Sequence, residues 1–154
     1  MPEDGQGLVE YTGNYEHGVD GSSRVMVPSP WRPEDKEMVF SMVPWPIQQP
    51  SHIRVMPPER WRLMLKRIRE NNVLSGDEIS TVERRIAATT VKKRIDDVGR
   101  LCIGEKLAEQ FGITAKAMLV GGLDKFEIWE PARFAATDGD VKQLPSKPLG
   151  DLRL

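Results

Sequence analysis

The chain has 154 residues, of which 39% are hydrophobic and 29% charged, a composition typical of a globular protein. No apolar run approaches the roughly 18 residues of a membrane helix, and the acidic N-terminus lacks the pattern of a secretory signal. The single cysteine, Cys102, excludes a disulfide framework. We therefore expect a cytoplasmic protein without a membrane partner. The net charge of −1 argues mildly against nucleic-acid binding, which would need either a local positive surface or many weak contacts summed by oligomerisation.

The first half of the chain predicts a β-hairpin, a short helix and two further strands. The polar segment from Asp20 to Arg24 lies between aliphatic and β-branched residues, which is typical of a tight turn between two strands. Gly21 is expected to take a positive φ in this turn. The elements predicted after it are a helix-like segment and two strands, at residues 30–37, 38–43 and 53–56. Three prolines in residues 44–50 predict an irregular connection, because proline cannot donate to a sheet ladder.

Two amphipathic helices are predicted next. The first covers residues 58–71 and ends at the Asn71-Asn72 pair. The second begins after Ser75, where Ser75 and Glu78 have the spacing of a capping box. The apolar faces of the two helices are formed by Trp61, Leu65 and Ile68 and by Ile79, Val82 and Ile86. We expect these helices to pack the two halves of the chain against each other.

The second half of the chain predicts the same order of elements as the first. A turn from Asp96 to Arg100, with Gly99 available for a positive φ, lies between two predicted strands. A helix and two strands are predicted after it, at residues 105–111, 118–120 and 126–129. Cys102 falls in an apolar strand and is expected to be a core residue. Each half is thus predicted to be a β-β-α-β-β unit, and residues 135–154 are predicted to be a tail.

Two ordered matches indicate an internal duplication. In both Asp-x-x-x-Arg segments an aliphatic residue precedes the aspartate and three apolar residues follow the arginine, and Asp20 and Asp96 lie 76 positions apart. Downstream, residues 55–61 and 128–134 share an aliphatic start, a proline, an arginine and a closing aromatic residue, at an offset of 73. One Asp-x-x-x-Arg pattern can arise by chance in a charged chain. Two copies with matched flanks predict two copies of one structural unit.

These features together resemble the MraZ family. The resemblance rests on the duplicated Asp-x-x-x-Arg turns, on Glu83-Arg84-Arg85 before the second copy, and on the runs at residues 117–121 and 125–129. It covers about residues 11–134. It implies an α+β fold of two AbrB-like swapped-hairpin β units that are related by internal pseudo-symmetry and joined by two helices. The implied divisions are an N-terminal tail (1–10), a first unit (11–61), a helical linker (62–89), a second unit (90–134) and a C-terminal tail (135–154).

The same resemblance implies a transcriptional repressor that binds double-stranded promoter DNA. Such a protein would regulate its own division and cell-wall gene cluster, bind direct repeats in the promoter as a ring-shaped homo-oligomer, and associate with the nucleoid. We expect no enzyme, cofactor, metal site or small-molecule substrate, since the sequence has no Gly-rich phosphate loop, no activated nucleophile and no metal-ligand cluster. The alternative is an AbrB-like protein-binding module of the antitoxin type that acts through residues 135–154. The duplication disfavours this alternative, because such antitoxins generally have one unit per chain.

Arg24 and Arg100 are the candidate DNA-reading residues. A hairpin tip can enter the major groove, where a guanidinium group donates two hydrogen bonds to guanine. Asp20 and Asp96 are expected to orient these arginines and to brace the turns. The simpler interpretation of each motif is an ion pair across a turn, and the duplication together with the resemblance favours DNA contact over it.

The two turns are expected to contribute unequally. The first has Ser23, not glycine, directly before its arginine, and we therefore expect Arg24 to contribute less to DNA binding than Arg100. Lys93, on the strand that leads into the second turn, is a further candidate for DNA contact, through the phosphates, although a solvated face is the simpler interpretation of residues 92–94. Strand alternation predicts that Lys93 lies on the face opposite Lys92 and Arg94.

Overall fold

A computed structural model describes residues 8–137 of the chain, and this range contains eight strands and four α-helices. The strands are β1 (Asn14–Gly18), β2 (Arg24–Met26), β3 (Val39–Trp45), β4 (His52–Met56), β5 (Val91–Arg94), β6 (Arg100–Cys102), β7 (Lys116–Gly121) and β8 (Phe126–Trp129). The helices are α1 (Pro58–Glu70), α2 (Gly76–Thr89), α3 (Gly104–Gln110) and α4 (Pro131–Ala135). The predicted α+β class is confirmed. Most of the two predicted tails, residues 1–7 and 138–154, lies outside the described residues.

The strands form a six-stranded antiparallel sheet and a separate two-stranded ribbon. The order in the sheet is β1-β7-β8-β4-β3-β5, and the ribbon consists of β2 and β6. Strand β1, from the first half of the chain, pairs with β7 from the second half. In the same way β5 pairs with β3. The two halves are therefore joined at both edges of the sheet, at its centre through β4 and β8, and in the ribbon.

The two faces of the sheet pack against different elements. Because neighbouring residues of a strand point to opposite faces, Phe40 and Met42 of β3 point into the main core, whereas Val43 points into a second cluster beneath α1 and α2. Ribbon, α3 and sheet residues share the main core: Val25, Leu101, Leu107, Phe111, Ile53, Val55, Phe126 and Ile128. The smaller cluster contains Val43, Met56, Met64 and Ile86. The ribbon and the two long helices consequently lie on opposite sides of the sheet.

The two long helices agree with their sequence prediction. Helix α1 ends at Glu70, and Asn71 follows it in an extended conformation. At the start of α2 the Glu78 amide donates to Ser75 Oγ at 3.1 Å and the Ser75 amide donates to Glu78 Oε1 at 2.8 Å, so the capping box is confirmed. Five of the six residues predicted for the apolar faces belong to or pack against the smaller cluster, namely Trp61, Leu65, Ile68, Val82 and Ile86, whereas Ile79 does not. Among residues 8–137, no helix is both long and apolar enough to cross a membrane.

Two local predictions were wrong, and both concern segments that contain proline. The helix predicted over residues 30–37 is a single 3₁₀ turn, Ser29–Trp31. Pro33 disfavours a helical conformation at the residue before it, and Arg32 is extended, with φ −76° and ψ 130°. The irregular connection predicted from residue 44 begins later, because Pro44 belongs to β3 and pairs with Ile53. Strand β3 pairs with β5 only up to Met42, so beyond that residue one side of β3 has no strand partner among residues 8–137 and tolerates a missing N–H.

Candidate nucleic-acid interface

The first Asp-x-x-x-Arg segment forms a turn that its own aspartate holds closed. Oδ1 of Asp20 accepts hydrogen bonds from the amides of Ser22 at 2.9 Å and Arg24 at 3.0 Å. Oδ2 accepts from Arg24 Nε at 2.9 Å. The backbone of Asp20 also bonds to that of Arg24, since the Asp20 amide donates to the Arg24 carbonyl at 3.0 Å. The aspartate therefore braces the turn and fixes the arginine side chain, as expected from the sequence.

The second segment repeats these contacts. Oδ1 of Asp96 accepts from the amides of Val98 at 3.0 Å and Arg100 at 2.8 Å, and Oδ2 accepts from Arg100 Nε at 2.9 Å. The Asp96 amide donates to the Arg100 carbonyl at 2.8 Å. The donors in the two turns have the same spacing from the aspartate, so the two segments are equivalent in their hydrogen bonding as well as in sequence.

Amide hydrogen bonds keep both aspartates ionised. The backbone amide of Arg24 contributes most to lowering the pKa of Asp20 below its ordinary value of 3.8. The backbone amide of Arg100 has the same effect on the pKa of Asp96, and the Arg100 side chain adds to it. A carboxylate that accepts several N–H groups is stabilised in its charged form. Each turn therefore contains an ionised aspartate next to its arginine throughout the neutral pH range.

The two turns place their positive φ angles at the residue directly before the arginine. Gly99 has φ +98°, as predicted, whereas in the first turn Ser23 has φ +58° and Gly21 is not in the left-handed region. The prediction for Gly21 was wrong, because the residue that needs the left-handed conformation is set by its position before the arginine and not by where glycine occurs. A serine in this conformation carries a strain that glycine does not.

We expect Ser23→Gly to stabilise the protein by about 0.5 kcal/mol, since relief of the left-handed strain exceeds the added flexibility of the unfolded chain. Chemical denaturation of the two proteins measures this difference. The matched control is Gly99→Ser, because a side chain at residue 99 would combine a positive φ with a collision against the Arg32 guanidinium. That variant should be destabilised by more than about 1 kcal/mol. A destabilised Ser23→Gly protein would contradict this account of the first turn.

The two hairpins lie side by side because β2 and β6 pair. In the ribbon, Arg24 is opposite Cys102, Val25 opposite Leu101 and Met26 opposite Arg100. The ribbon is extended at both ends, since the Val27 amide donates to the Gly99 carbonyl at 2.8 Å and the Ile103 amide donates to the Ser23 carbonyl at 2.9 Å. The turns are thereby held in a fixed relative position.

Both candidate arginines lie on the same face of this ribbon. Val25 and Leu101 are fully buried and point into the core, so alternation turns Arg24 and Arg100 outward. Their side chains are 36% and 30% exposed. As diagonal neighbours on paired strands, the two arginines have Cα atoms roughly 7–8 Å apart. Cys102, expected in the core, lies on this outward face and is partly exposed, because Leu101 occupies the inward position.

Among residues 8–137, Arg100 is held by two carboxylates and Arg24 by one. Arg100 Nη1 lies 3.7 Å from Asp20 Oδ2, in addition to the Nε contact with Asp96. Arg24 is paired through Nε with Asp20 at 2.9 Å. Both arginines use Nε for the contact with their own aspartate, and among residues 8–137 neither Nη group of Arg24 nor Nη2 of Arg100 forms an ion pair. Arg100 is the more firmly positioned of the two.

Lys93 lies on the ribbon side of the sheet. It pairs with Phe40, and residues opposite each other in an antiparallel pair point to the same face. Phe40 is in the main core, so Lys93 belongs to the face that the ribbon covers, on the edge strand, and is exposed. The predicted alternation of Lys93 with its neighbours is confirmed. Within residues 8–137, Lys93 forms neither a hydrogen bond nor an ion pair in the structure.

Lys92 and Arg94 point to the helix side. Lys92 Nζ donates to Ser41 Oγ at 2.7 Å and lies 4.2 Å from the centre of the Trp61 ring. Burial lowers the pKa of Lys92. Arg94 Nη2 lies 3.7 Å from Glu37 Oε1. Lys92 therefore has a structural role under α1, and of these three basic residues Lys93 is the one on the side of the DNA-reading candidates.

The structure adds Arg32 and Lys36 to the surroundings of the second turn. Both line a shallow depression with Asp96 and Gly99. Arg32 Nε donates to the Val27 carbonyl at 2.9 Å, and its guanidinium covers the α-carbon of Gly99. Sequence reasoning missed both residues, because they come from the connection between β2 and β3 and are brought to the second turn only by the ribbon pairing.

Comparison with known proteins identifies relatives over most of the chain. The family model described as "MraZ protein, putative antitoxin-like" matches residues 86–147. The transcriptional regulator MraZ of Azotobacter vinelandii is 33% identical over 64% of this chain and 67% of its own length. The proteins of the same name from Lachnoclostridium phytofermentans and Geotalea daltonii are 26% and 25% identical, covering 84% and 94% of this chain and 88% and 99% of their own lengths. The chain belongs to the MraZ family of transcriptional regulators.

Proposed function

We propose that this protein is a sequence-specific DNA-binding repressor that reads promoter DNA with Arg24 and Arg100. The observation that carries this proposal is the pair of aspartate-braced arginines on one exposed face of the β2–β6 ribbon. A two-stranded ribbon is narrow enough to enter the major groove. The relatives are named as regulators of transcription and not as enzymes, and we assign this chain no catalytic activity.

The architecture that we propose consists of two AbrB-like units with swapped hairpins. The units are residues 11–61 and 90–134, and residues 62–89 are the linker. Support comes from the strand pairing, in which β1 joins β7 and β5 joins β3, so that each hairpin lies against the other unit. Further support comes from the repeated turn contacts at an offset of 76 residues. A pseudo-twofold axis between β2 and β6 and between β4 and β8 relates the units.

Base reading uses the Nη groups of the arginines. Each Nε–H is bonded to an aspartate, which fixes the plane of the guanidinium group. The Nη–H groups then donate to O6 and N7 of guanine, a contact that distinguishes guanine from the other bases. Asp20 and Asp96 act as positioning residues and do not contact the bases. Lys93 contacts a phosphate beside the second turn and adds affinity without sequence information.

Affinity requires several copies of the ribbon. The net charge of −1 provides little general attraction to DNA, and one ribbon presents two reading arginines. A ring-shaped homo-oligomer on a row of direct repeats gains affinity through effective concentration. We infer from the resemblance to the family that such repeats lie upstream of the chain's own division and cell-wall gene cluster. Binding there would repress that cluster and associate the protein with the nucleoid.

The test is the salt dependence of binding to the chain's own upstream DNA, with the mass of the free protein measured in parallel. We expect specific binding that weakens by about 10³-fold or more between roughly 50 and 200 mM salt, because phosphate contacts by several subunits release counterions. The mass should be that of an oligomer. A shuffled fragment of equal length is the control, and equal affinity for both fragments would contradict sequence-specific function.

A further inference from the structure

A cavity of about 410 Å³ lies where the helix-covered face of the sheet meets α1 and the turn from α1 to α2. Its basic lining residues are Arg54 of β4 and Arg60 and Arg67 of α1. Its apolar walls include Trp45, Met64 and Ile68. The volume is within the range of about 300–1,000 Å³ that is typical of small-molecule sites. The cavity is on the side of the sheet opposite the ribbon, so DNA contact does not involve it.

Two of these arginines have buried N–H groups that form no hydrogen bond with any of residues 8–137. The Arg54 guanidinium stacks on Trp45, with Cζ 3.8 Å from the ring centre, and its Nε is buried and forms no hydrogen bond. The Arg60 side chain is 12% exposed, and its Nε and Nη1 are also buried without hydrogen bonds. Arg60 Nε lies 3.1 Å from Asp124 Oδ2, but the two groups lack hydrogen-bond alignment. Unsatisfied donors of this kind are uncommon inside proteins and point to a missing acceptor.

The nearby carboxylates satisfy these donors only in part, since Asp124 Oδ2 forms an ion pair with Arg60 Nε and the other carboxylate oxygens have other partners. Asp124 Oδ1 lies 3.5 Å from Lys125 Nζ. Glu127 accepts from Trp129 Nε1 at 2.8 Å and its other oxygen lies 3.3 Å from His52 Nε2. Burial and the adjacent positive charge of Arg60 lower the pKa of Arg54. Glu127 and Asp124 oppose this lowering only in part, so the two positive charges are held close together at an electrostatic cost that a bound anion would reduce.

We propose that this cavity binds a small organic anion, in which a phosphate or carboxylate group is attached to an apolar, planar body. The anionic group accepts hydrogen bonds from Arg54 and Arg60, and Arg67 contacts it from the exposed side of the cavity. Guanidinium groups match the planar spacing of carboxylate and phosphate oxygens. The apolar body packs against Met64 and Ile68, next to the Trp45 ring. The site is separate from the DNA-binding function proposed above and does not depend on it.

Calorimetric titration of the full-length chain with three probes tests the site. The probes are 1-naphthyl phosphate, 1-naphthoate and the uncharged 1-naphthol. We expect saturable binding of one probe per chain for at least one anion, and at least about tenfold weaker binding of 1-naphthol, since hydrogen bonds to charged groups contribute about 1.5–3 kcal/mol. The ratio between the two anions distinguishes a phosphate site from a carboxylate site. Equal binding of the neutral probe, or no binding of either anion, would overturn the proposal.

Variants locate the binding within the cavity. Arg54→Met keeps an aliphatic side chain on Trp45 and removes the charge. Arg67→Ala changes an exposed side chain, so the fold of this variant should be unaffected. Each should weaken binding of the preferred anion by about tenfold or more. Arg84→Ala is the matched control, since it removes the same charge from an exposed position of α2 outside the cavity. If Arg67→Ala binds like Arg84→Ala, the cavity is not the site.

Discussion

Arg100→Ala is expected to weaken binding to the upstream DNA by roughly ten- to a hundredfold for each guanine that Arg100 reads, since one bidentate arginine–guanine pair contributes about 1–3 kcal/mol of discrimination. Arg24→Ala should weaken binding less. The physical reason is positioning, because in the described part of the chain Arg100 is held by Asp96 and Asp20, whereas Arg24 is held by Asp20 alone. A side chain that is already ordered loses less entropy when it binds. Fluorescence anisotropy with a labelled upstream fragment measures both variants.

Two controls separate DNA reading from a loss of structure. Arg84→Ala removes an exposed arginine outside the ribbon and should leave specific binding unchanged. The Arg24→Ala, Arg100→Ala double variant should keep the oligomeric mass and lose specific binding altogether. If this double variant folds, assembles and still prefers the upstream fragment, the two arginines are not the reading residues.

Trp31→Ala is expected to destabilise the protein by about 3–5 kcal/mol, the usual cost of removing a large buried aromatic side chain. Trp31 is 1% exposed. The centre of its ring lies 5.3 Å from that of Tyr15, in an edge-on arrangement, and 5.1 Å from that of Phe126. Its Nε1 donates to the Thr12 carbonyl at 3.1 Å. Trp31 lies in the connection between β2 and β3, and it therefore links β1 of the first half to β8 of the second half. Urea denaturation with a linear extrapolation measures the free energy of unfolding.

Trp31→Phe is the matched variant for this position. It keeps an aromatic ring in the cluster and removes the hydrogen bond to Thr12 together with part of the packing, so it should cost less than the alanine change. Equal and small losses of stability for both variants would show that the aromatic cluster does not hold the two halves together.

The duplication made the candidate site predictable from the sequence. The spacing of Asp20 to Arg24, repeated at Asp96 to Arg100, is a local pattern, and a turn is a local structure. The capping box at Ser75 and Glu78 was predictable for the same reason. In these cases the residues that decide the conformation lie within four positions of each other.

Features that depend on contacts between the halves could not be predicted from local patterns. The pairing of β1 with β7 joins residues more than 90 positions apart, and the position of Arg32 over Gly99 follows from the pairing of β2 with β6. The cavity combines a strand residue, Arg54, with residues of α1 and the following turn. No periodicity links these positions, because the cavity is formed when the helices dock on the sheet. The helix predicted over residues 30–37 was wrong for a different reason, since Pro33 disfavours a helical conformation at Arg32.

The most direct test of the account replaces Arg24 and Arg100 together by lysine and compares binding to the upstream fragment and to a shuffled fragment. Lysine keeps the positive charge but cannot form the bidentate contact. If the arginines read bases, the preference for the upstream fragment should fall by at least about tenfold, with binding to the shuffled fragment nearly unchanged. An unchanged preference in this double variant would contradict base reading by these residues and would mean that their charge alone, through the phosphates, contributes to binding.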